Sequence, residues 1–305
     1  MKKRGLFLPL IFSLMFLLPA AIYGSEPRSA PISSGRSLAE MVRALEHDTA
    51  PSALYHLSTL YERGFDSIPA DSLRAMTLLK ESARRGYAPA QNYLGFKLYT
   101  TAPDSAWYWL GKAADAGDAK ALSNMAYLLL SEDTLSSSPL SSERSLKAIE
   151  LLQRSADSGV ATAKAHLGDL YRKGRGVERD SLMARQLYLD AVRGGYADAE
   201  MPLWYIEEAR LNTLSPEEAL RAGKEAAEAG ADAVAFLLFR RAVEGDIPEA
   251  YTLIGDAYSS AKGVDYNYEK ALENYKAGAE KGDPRAQRII EELLEIFPDI
   301  FSKER

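Results

Sequence analysis

The side chains with chemistry to offer are three histidines, a few adjacent carboxylates and one basic loop with two glycines. His166 and Asp169 stand three residues apart, a spacing that lets their side chains meet on one face of a helix. Without a cysteine or a matched serine beside it, such a pair activates no nucleophile, and it reads as an ordinary surface contact. His47 and His56 show no spacing of the H-E-x-x-H kind that would hold a metal. Glu207-Glu208, Glu217-Glu218 and Glu291-Glu292 are neighbours in sequence. Consecutive helical residues point about 100° apart, so these pairs form no acid–base dyad and read as helix surface. "RKGRGVERD" (172–180) sets two glycines among cations but lacks the Lys-Ser/Thr of a phosphate-binding loop. The chain therefore offers no catalytic group, no metal site and no cofactor site, and the sequence predicts that it is not an enzyme.

The surroundings of these residues explain them better than chemistry does. "LGDLYRKGRGVERDSLMA" (167–184) returns 87 residues later as "IGDAYSSAKGVDYNYEKA" (254–271). A second phrase, small-x-x-Gly-x-x-x-Ala, recurs around Gly86, Gly117, Gly159, Gly195, Gly230, Gly245 and Gly282, at spacings of 31, 42, 36, 35, 15 and 37. A structural unit of about 36 residues repeats along the chain. In each copy an alanine (Ala53, Ala90, Ala121, Ala163, Ala199, Ala250) is followed four residues on by Leu57, Leu94, Met125, Leu167, Leu203 or Ile254. Four further on stands Tyr61, Leu98, Leu129, Tyr171, Glu207 or Tyr258. Spacing of four makes these one stripe of a first helix. Asp71, Asp104, Asp180 or Ser215 can cap a second helix, and the recurring glycine can end it in the left-handed conformation. The sequence predicts an all-α, right-handed solenoid of antiparallel helix hairpins, with units at 53–89, 90–120, 121–162, 163–198, 199–230 and 250–282. Between glycines 230 and 245 there is room for one helix only, so 231–249 is expected to be an irregular, unpaired element. A polar insert occupies 131–142.

Residues 1–24 have a basic head (Lys2, Lys3, Arg4), a short apolar run and small residues before Ser25, the pattern of a secretory leader. Residues 25–36 read as a linker, 37–52 as an N-terminal cap helix, and 283–305 as a closing helix and tail. Three of the 37 basic residues and none of the 43 acidic ones lie in the leader, so the rest carries a net charge of −9. An acidic chain is ill suited to coating nucleic acid. No later apolar run approaches membrane length, so no membrane insertion is expected once the leader is removed. With no cysteine, the fold must be held by packing alone.

The unit resembles the Sel1-like repeat, a relative of the tetratricopeptide repeat. The likeness is closest at Ala163, Leu167, Gly168, Tyr171, Gly174, Gly176, Val177, Asp180 and Ala184. It recurs at Ala250, Gly255, Tyr258, Gly263, Val264, Ala271, Tyr275, Ala279 and Gly282. The resemblance implies an exported periplasmic or envelope adaptor, a monomer that holds a protein or peptide partner in the groove lined by its first helices. Positions two and six residues after each starting alanine are expected to face that groove. They include Tyr55, Thr59, Asn92, Phe96, Ser123, Tyr127, Asp169, Tyr205, Thr252 and Asp256; the binding candidates are Tyr55, Asn92, Phe96, Tyr127, Asp169, Tyr205 and Asp256. Some secreted relatives are linked to penicillin or peptidoglycan fragments, which makes a cell-wall binding or hydrolysing protein the alternative. Those relatives are rich in cysteine, and this chain has none.

Overall fold

Residues 45, 47–64, 69–133 and 143–296 are described by the computed structural model. The predicted leader and linker, most of the N-terminal cap, most of the 131–142 insert and the tail beyond 296 lie outside the described residues. Among the described residues there are fourteen α-helices and no strand.

Four hairpins come first. Helix α1 (Pro51–Arg63) pairs with α2 (Ser72–Arg84), α3 (Ala88–Leu98) with α4 (Pro103–Asp115), α5 (Ala119–Asp133) with α6 (Glu143–Asp157), and α7 (Ala161–Lys173) with α8 (Ser181–Arg193). Each second helix packs on the first helix of the next unit, and successive first helices touch one another. This neighbour-only packing makes a solenoid. The stripe predicted from spacing is the core: Ala53, Ala90, Ala121, Ala163, Ala199 and Ala250 are buried, as are Leu57, Leu94, Leu167, Leu203 and Ile254. Each buried leucine contributes about 1.5–3 kcal/mol relative to exposure.

The ends of the helices follow from local chemistry. Asp71 caps α2 by accepting from the Arg74 N–H at 2.9 Å, and Asp180 caps α8 by accepting from Leu182 and Met183 N–H, both at 2.9 Å. Asp104 does not cap: it lies in the first turn of α4, whose N-cap is Ala102. A carboxylate there instead favours the positive end of the helix dipole. Gly86, Gly117, Gly159, Gly195, Gly230 and Gly282 all take positive φ, as the recurring phrase requires. Gly245 departs from them. Asp246 is the left-handed residue at that corner, and a Cβ on Gly245 would lie 2.2 Å from Pro216 Cβ, so close approach explains that glycine.

The fifth unit differs from the expectation. After a 3-10 turn at Ala197–Ala199 come α9 (Glu200–Arg210), a second turn at Leu211–Thr213, α10 (Pro216–Ala229) and α11 (Asp232–Val243). The hairpin here is α10 with α11, packed as closely as any other pair, so the element at 231–249 is not the lone one. Helix α9 is the odd helix, packed on α8 and on α11. Gly223 on α10 allows the close pairing of α10 with α11 by receiving the ring of Phe239 from α11, where a Cβ would lie 2.6 Å from Phe239 Cε1. Regular packing then resumes with α12 (Pro248–Ser260) on α13 (Tyr268–Glu280), and α14 (Pro284–Ile296) closes the described stack.

Candidate functional site

The Gly-Asp of the two matching phrases and the tyrosine that follows each phrase, Tyr188 or Tyr275, form a lock between the two helices of a unit. Gly168 on α7 lets the Tyr188 ring from α8 lie against the backbone, where a Cβ would stand 2.9 Å from Cε1. The Tyr188 hydroxyl donates to Asp169 Oδ1 at 2.9 Å, and Arg172 reaches the same oxygen at 3.0 Å. Eighty-seven residues on, Gly255 receives Tyr275, whose hydroxyl donates to Asp256 Oδ1 at 3.1 Å, while Arg285 reaches Asp256 Oδ2 at 2.6 Å. Burial pushes the Asp169 carboxyl upward, but hydrogen bonds from Arg172 and Tyr188 with the charges of Lys173 and Arg172 outweigh it and hold the group below the usual carboxylate range. Burial raises the Tyr188 hydroxyl well above its ordinary value, so it stays a donor. Asp169 and Asp256, expected in the groove as binding groups, are thus already paired within the protein.

The two sets of inward positions separate sharply. Those two residues after each starting alanine are covered: Tyr55 is 5% exposed, and Asn92, Ser123 and Thr252 are buried. Successive first helices stack directly on these positions. Tyr55 lies among His56, Tyr87 and Tyr93, with ring centroids 5.5, 5.5 and 6.3 Å away. Asn92 on α3 accepts a 2.7 Å hydrogen bond from Asn124 Nδ2 on α5. Met201 on the odd helix is the counterexample, 61% exposed, because no following first helix stacks closely on α9. Six residues after the alanine, Phe96 is half-buried, while Tyr127 is 40% and Tyr205 59% exposed.

Three of the candidates, Tyr55, Asn92 and Phe96, line one cavity of about 260 Å³ on the first-helix face, together with Tyr93, Lys120 and Asn124. From Phe96 an aromatic row runs across three units. Phe96 lies 6.0 Å from Tyr99, Tyr99 meets Tyr127 edge-on at 6.1 Å, and Tyr127 stacks on His166 at 6.3 Å and 30°. Tyr205 sits apart from this row, against Trp204 on α9. Asn124, Tyr99 and His166 are the members that spacing alone missed. The helical offset to Tyr127 would have marked Asn124 and the offset to Phe96 would have marked Tyr99. Among the described residues no cluster of metal-ligating side chains occurs, and no helix is long and apolar enough to cross a membrane.

His166 supplies a pH signature for this face. Burial disfavours its charged form, the Asp169 carboxylate offsets this only in part, and the imidazole titrates below the ordinary 6.5. As pH falls the unfolded chain binds the proton first. Stability from neutral His166 is therefore complete above about pH 6.5 and is lost as pH falls from there through the folded-state value. Between pH 7.5 and 5.5 the unfolding midpoint of His166→Gln should fall less than that of the parent. Equal falls in both would show that His166 is solvated.

Helix hairpins stacked each on the next, with a cavity and an aromatic row on the first-helix face, define an α-solenoid. The chain belongs to the Sel1 repeat family, whose model matches residues 51–87, 88–118, 145–160, 161–196 and 248–283. The unmatched 197–247 holds the odd helix. The chain is 30% identical over 163 residues to the uncharacterized protein NMB1327 of Neisseria meningitidis serogroup B, covering 53% of this chain. It spans about a third of the length of that relative (33%). Similar solved structures include c5321, described as a protective antigen of uropathogenic Escherichia coli with an SLR fold, at 22% identity and TM-score 0.46, covering 85% of this chain and 52% of that one. A Sel1 repeat protein from Oxalobacter formigenes follows at 20% identity and TM-score 0.45, covering 75% and 87%.

Proposed function

We propose that this protein is an exported scaffold that holds a partner protein through an extended segment laid along its first-helix face, from the Tyr55–Asn92–Phe96 cavity over the row to Tyr127 and His166. Sel1 repeat proteins generally serve as protein-interaction scaffolds. The observation that carries the assignment is the continuity of the row. Phe96, Tyr99, Tyr127 and His166 join three units into one aromatic surface beside a largely apolar cavity that also carries Asn92, Asn124, Asp118 and Lys120. Aromatic side chains ordered by packing offer contact area at small entropic cost, the composition typical of binding hot spots. The leader-like pattern of residues 1–24, a basic head followed by a short apolar run, supports export and a partner in the same compartment.

Capture from envelope extract tests this. Protein carrying Phe96→Ala and Tyr127→Ala should lose at least about tenfold in recovery of the partner held by the parent, since two truncated hot-spot side chains cost at least about 1.4 kcal/mol together. A Leu73→Ala control, exposed on α2 away from the cavity, should recover it fully. Equal recovery by parent and the Phe96/Tyr127 variant would remove the groove assignment.

A further inference from the structure

We infer that the solvent face of α9, where Met201 and Tyr205 stand between the carboxylates of Asp198 and Glu208, is a second docking surface. It takes an amphipathic helix of a partner protein whose apolar stripe is bordered by lysine or arginine. The solenoid itself shows what fits there. Two residues after the starting alanine, Tyr55, Asn92, Ser123, Ala165 and Thr252 are all buried. The next first helix lies against α1, α3, α5 and α12. It brings a side chain to this contact: Tyr93 of α3 meets Tyr55 edge-on at 6.3 Å, and Asn124 of α5 donates to Asn92 at 2.7 Å. Met201 is the equivalent residue of α9, yet it is more than half exposed, with no first helix stacked closely on it.

The exposed stripe has the spacing of a helix-binding face. At about 100° per residue, Met201, Tyr205 and Glu208 fall within about 60° of one another around α9. The other side of the helix is fixed: Leu203, Ile206 and Glu207 are buried, and Trp204 packs on the core while meeting Tyr205 edge-on at 5.5 Å. Met201 and Tyr205 are thus held out at the i, i+4 spacing through which one helix reads another. Charge selects the partner. From 197 to 209 the chain carries Asp198, Glu200, Glu207 and Glu208 and no lysine or arginine. Glu207 is taken by Arg185 and Arg210, and Glu200 accepts from the Ala233 N–H of α11 at 2.7 Å. Asp198 and Glu208 are exposed and form no ion pair among the described residues. One precedes Met201 and the other follows Tyr205, an acidic border that steers a cationic helix toward the patch and repels an anionic one. The surface lies in the stretch 197–247 outside the family match, so it belongs to this chain rather than to the repeat unit. It stands apart from the row that ends at His166, and neither surface needs the other.

The test uses two blocked model helices of about 18 residues, long enough to be helical alone, with leucine along one face and either lysine or glutamate bordering it. The protein is isotope-labelled at its methionine methyl groups, and the Met201 signal is the one missing from Met201→Leu protein. At low salt the lysine helix should move that signal saturably and bind at least about fivefold more tightly than the glutamate helix. In Asp198→Asn/Glu208→Gln protein this preference should fall at least about threefold. Glu291→Gln/Glu292→Gln removes the same charge from the exposed side of α14 and should leave the preference unchanged. Tyr205→Ser should weaken the lysine helix at least about fivefold without moving the unfolding midpoint, because the ring lies mostly in solvent. Equal binding of the two helices to the parent would overturn the proposal. So would an equal fall in preference for both pairs of substitutions, which would reduce the effect to net charge. A Met201 signal that stays still with the lysine helix at millimolar concentration would overturn it too. One that shifts as the protein alone is concentrated would give the face to a second copy of this chain and overturn it equally. Capture by the Phe96/Tyr127 variant reports on the aromatic row alone.

Discussion

Gly255→Val should destabilise the protein by about 3 kcal/mol and loosen the α12–α13 hairpin first. Even the first carbon of any side chain at this position would lie 2.6 Å from Tyr275 Cε1 and 2.7 Å from Cδ1. The ring has little freedom to yield. It is buried, and its hydroxyl is held by Asp256 at 3.1 Å and Ser259 at 3.0 Å. Overpacking of this kind costs about 1–3 kcal/mol, and losing the hydroxyl contacts adds about 1 kcal/mol or more. A better helix former repays up to about 1 kcal/mol, less for a β-branched residue. The control is Gly111 on α4, where a Cβ would meet nothing within 4 Å. Gly111→Ala should raise stability by about 0.5–1 kcal/mol on helix propensity alone. Urea unfolding followed by far-ultraviolet circular dichroism gives the midpoints, and amide exchange shows whether α12 to α14 open before the rest. Equal midpoints for Gly255→Val and the parent would mean that the Tyr275 ring moves aside freely.

That lock shows how far the fold can be read from the sequence. Both halves are visible as repeated text, Gly-Asp in the first helix and a tyrosine in the second at the same offset. Their complementarity, ring against glycine and hydroxyl on carboxylate, is a contact between helices that spacing within one helix cannot express. The stripe of Ala53, Leu57, Tyr61 and their equivalents is legible because burial of a helix face leaves a period in the sequence. The fifth unit is misphased by spacing for a related reason. The short interval between Gly230 and Gly245 does hold one helix, α11, but its mate lies upstream in α10, marked by Gly223 inside that helix. The site is half legible. Positions six residues after the starting alanine keep Phe96, Tyr127 and Tyr205 at the surface, whereas those two residues after it sink beneath the neighbouring first helix. Which exposed position becomes covered depends on a unit distant in sequence, and α9 shows it by leaving Met201 bare.

Arg185 is where the second large effect is expected. The adjacent Glu207-Glu208 pair reads as helix surface in the sequence, yet Glu207 is fully buried. It occupies the place in α9 where the other units carry Tyr61, Leu98, Leu129, Tyr171 and Tyr258. Its carboxylate is held by Arg185 from α8 and by Arg210 at 3.2 Å, and Arg185 also reaches Glu225 on α10 at 2.8 Å. One guanidinium therefore ties the odd helix to the hairpins on either side of it, replacing the apolar contact that its unit lacks. Arg185→Met leaves Glu207 buried with Arg210 alone, and breaking a buried pair in this way costs about 3–5 kcal/mol. Adding Glu207→Leu should recover most of that loss. The double variant removes both buried charges and returns an apolar side chain to the position where the regular units have one, and such replacement of a whole buried pair is often neutral or stabilising. Arg210 and Glu225 keep enough exposure to be solvated without their partners. Thermal and urea unfolding of the two single variants and the double give the coupling directly. A loss below about 1 kcal/mol in Arg185→Met would mean that water already reaches Glu207, and that α9 is held by Leu203 and Ile206 alone.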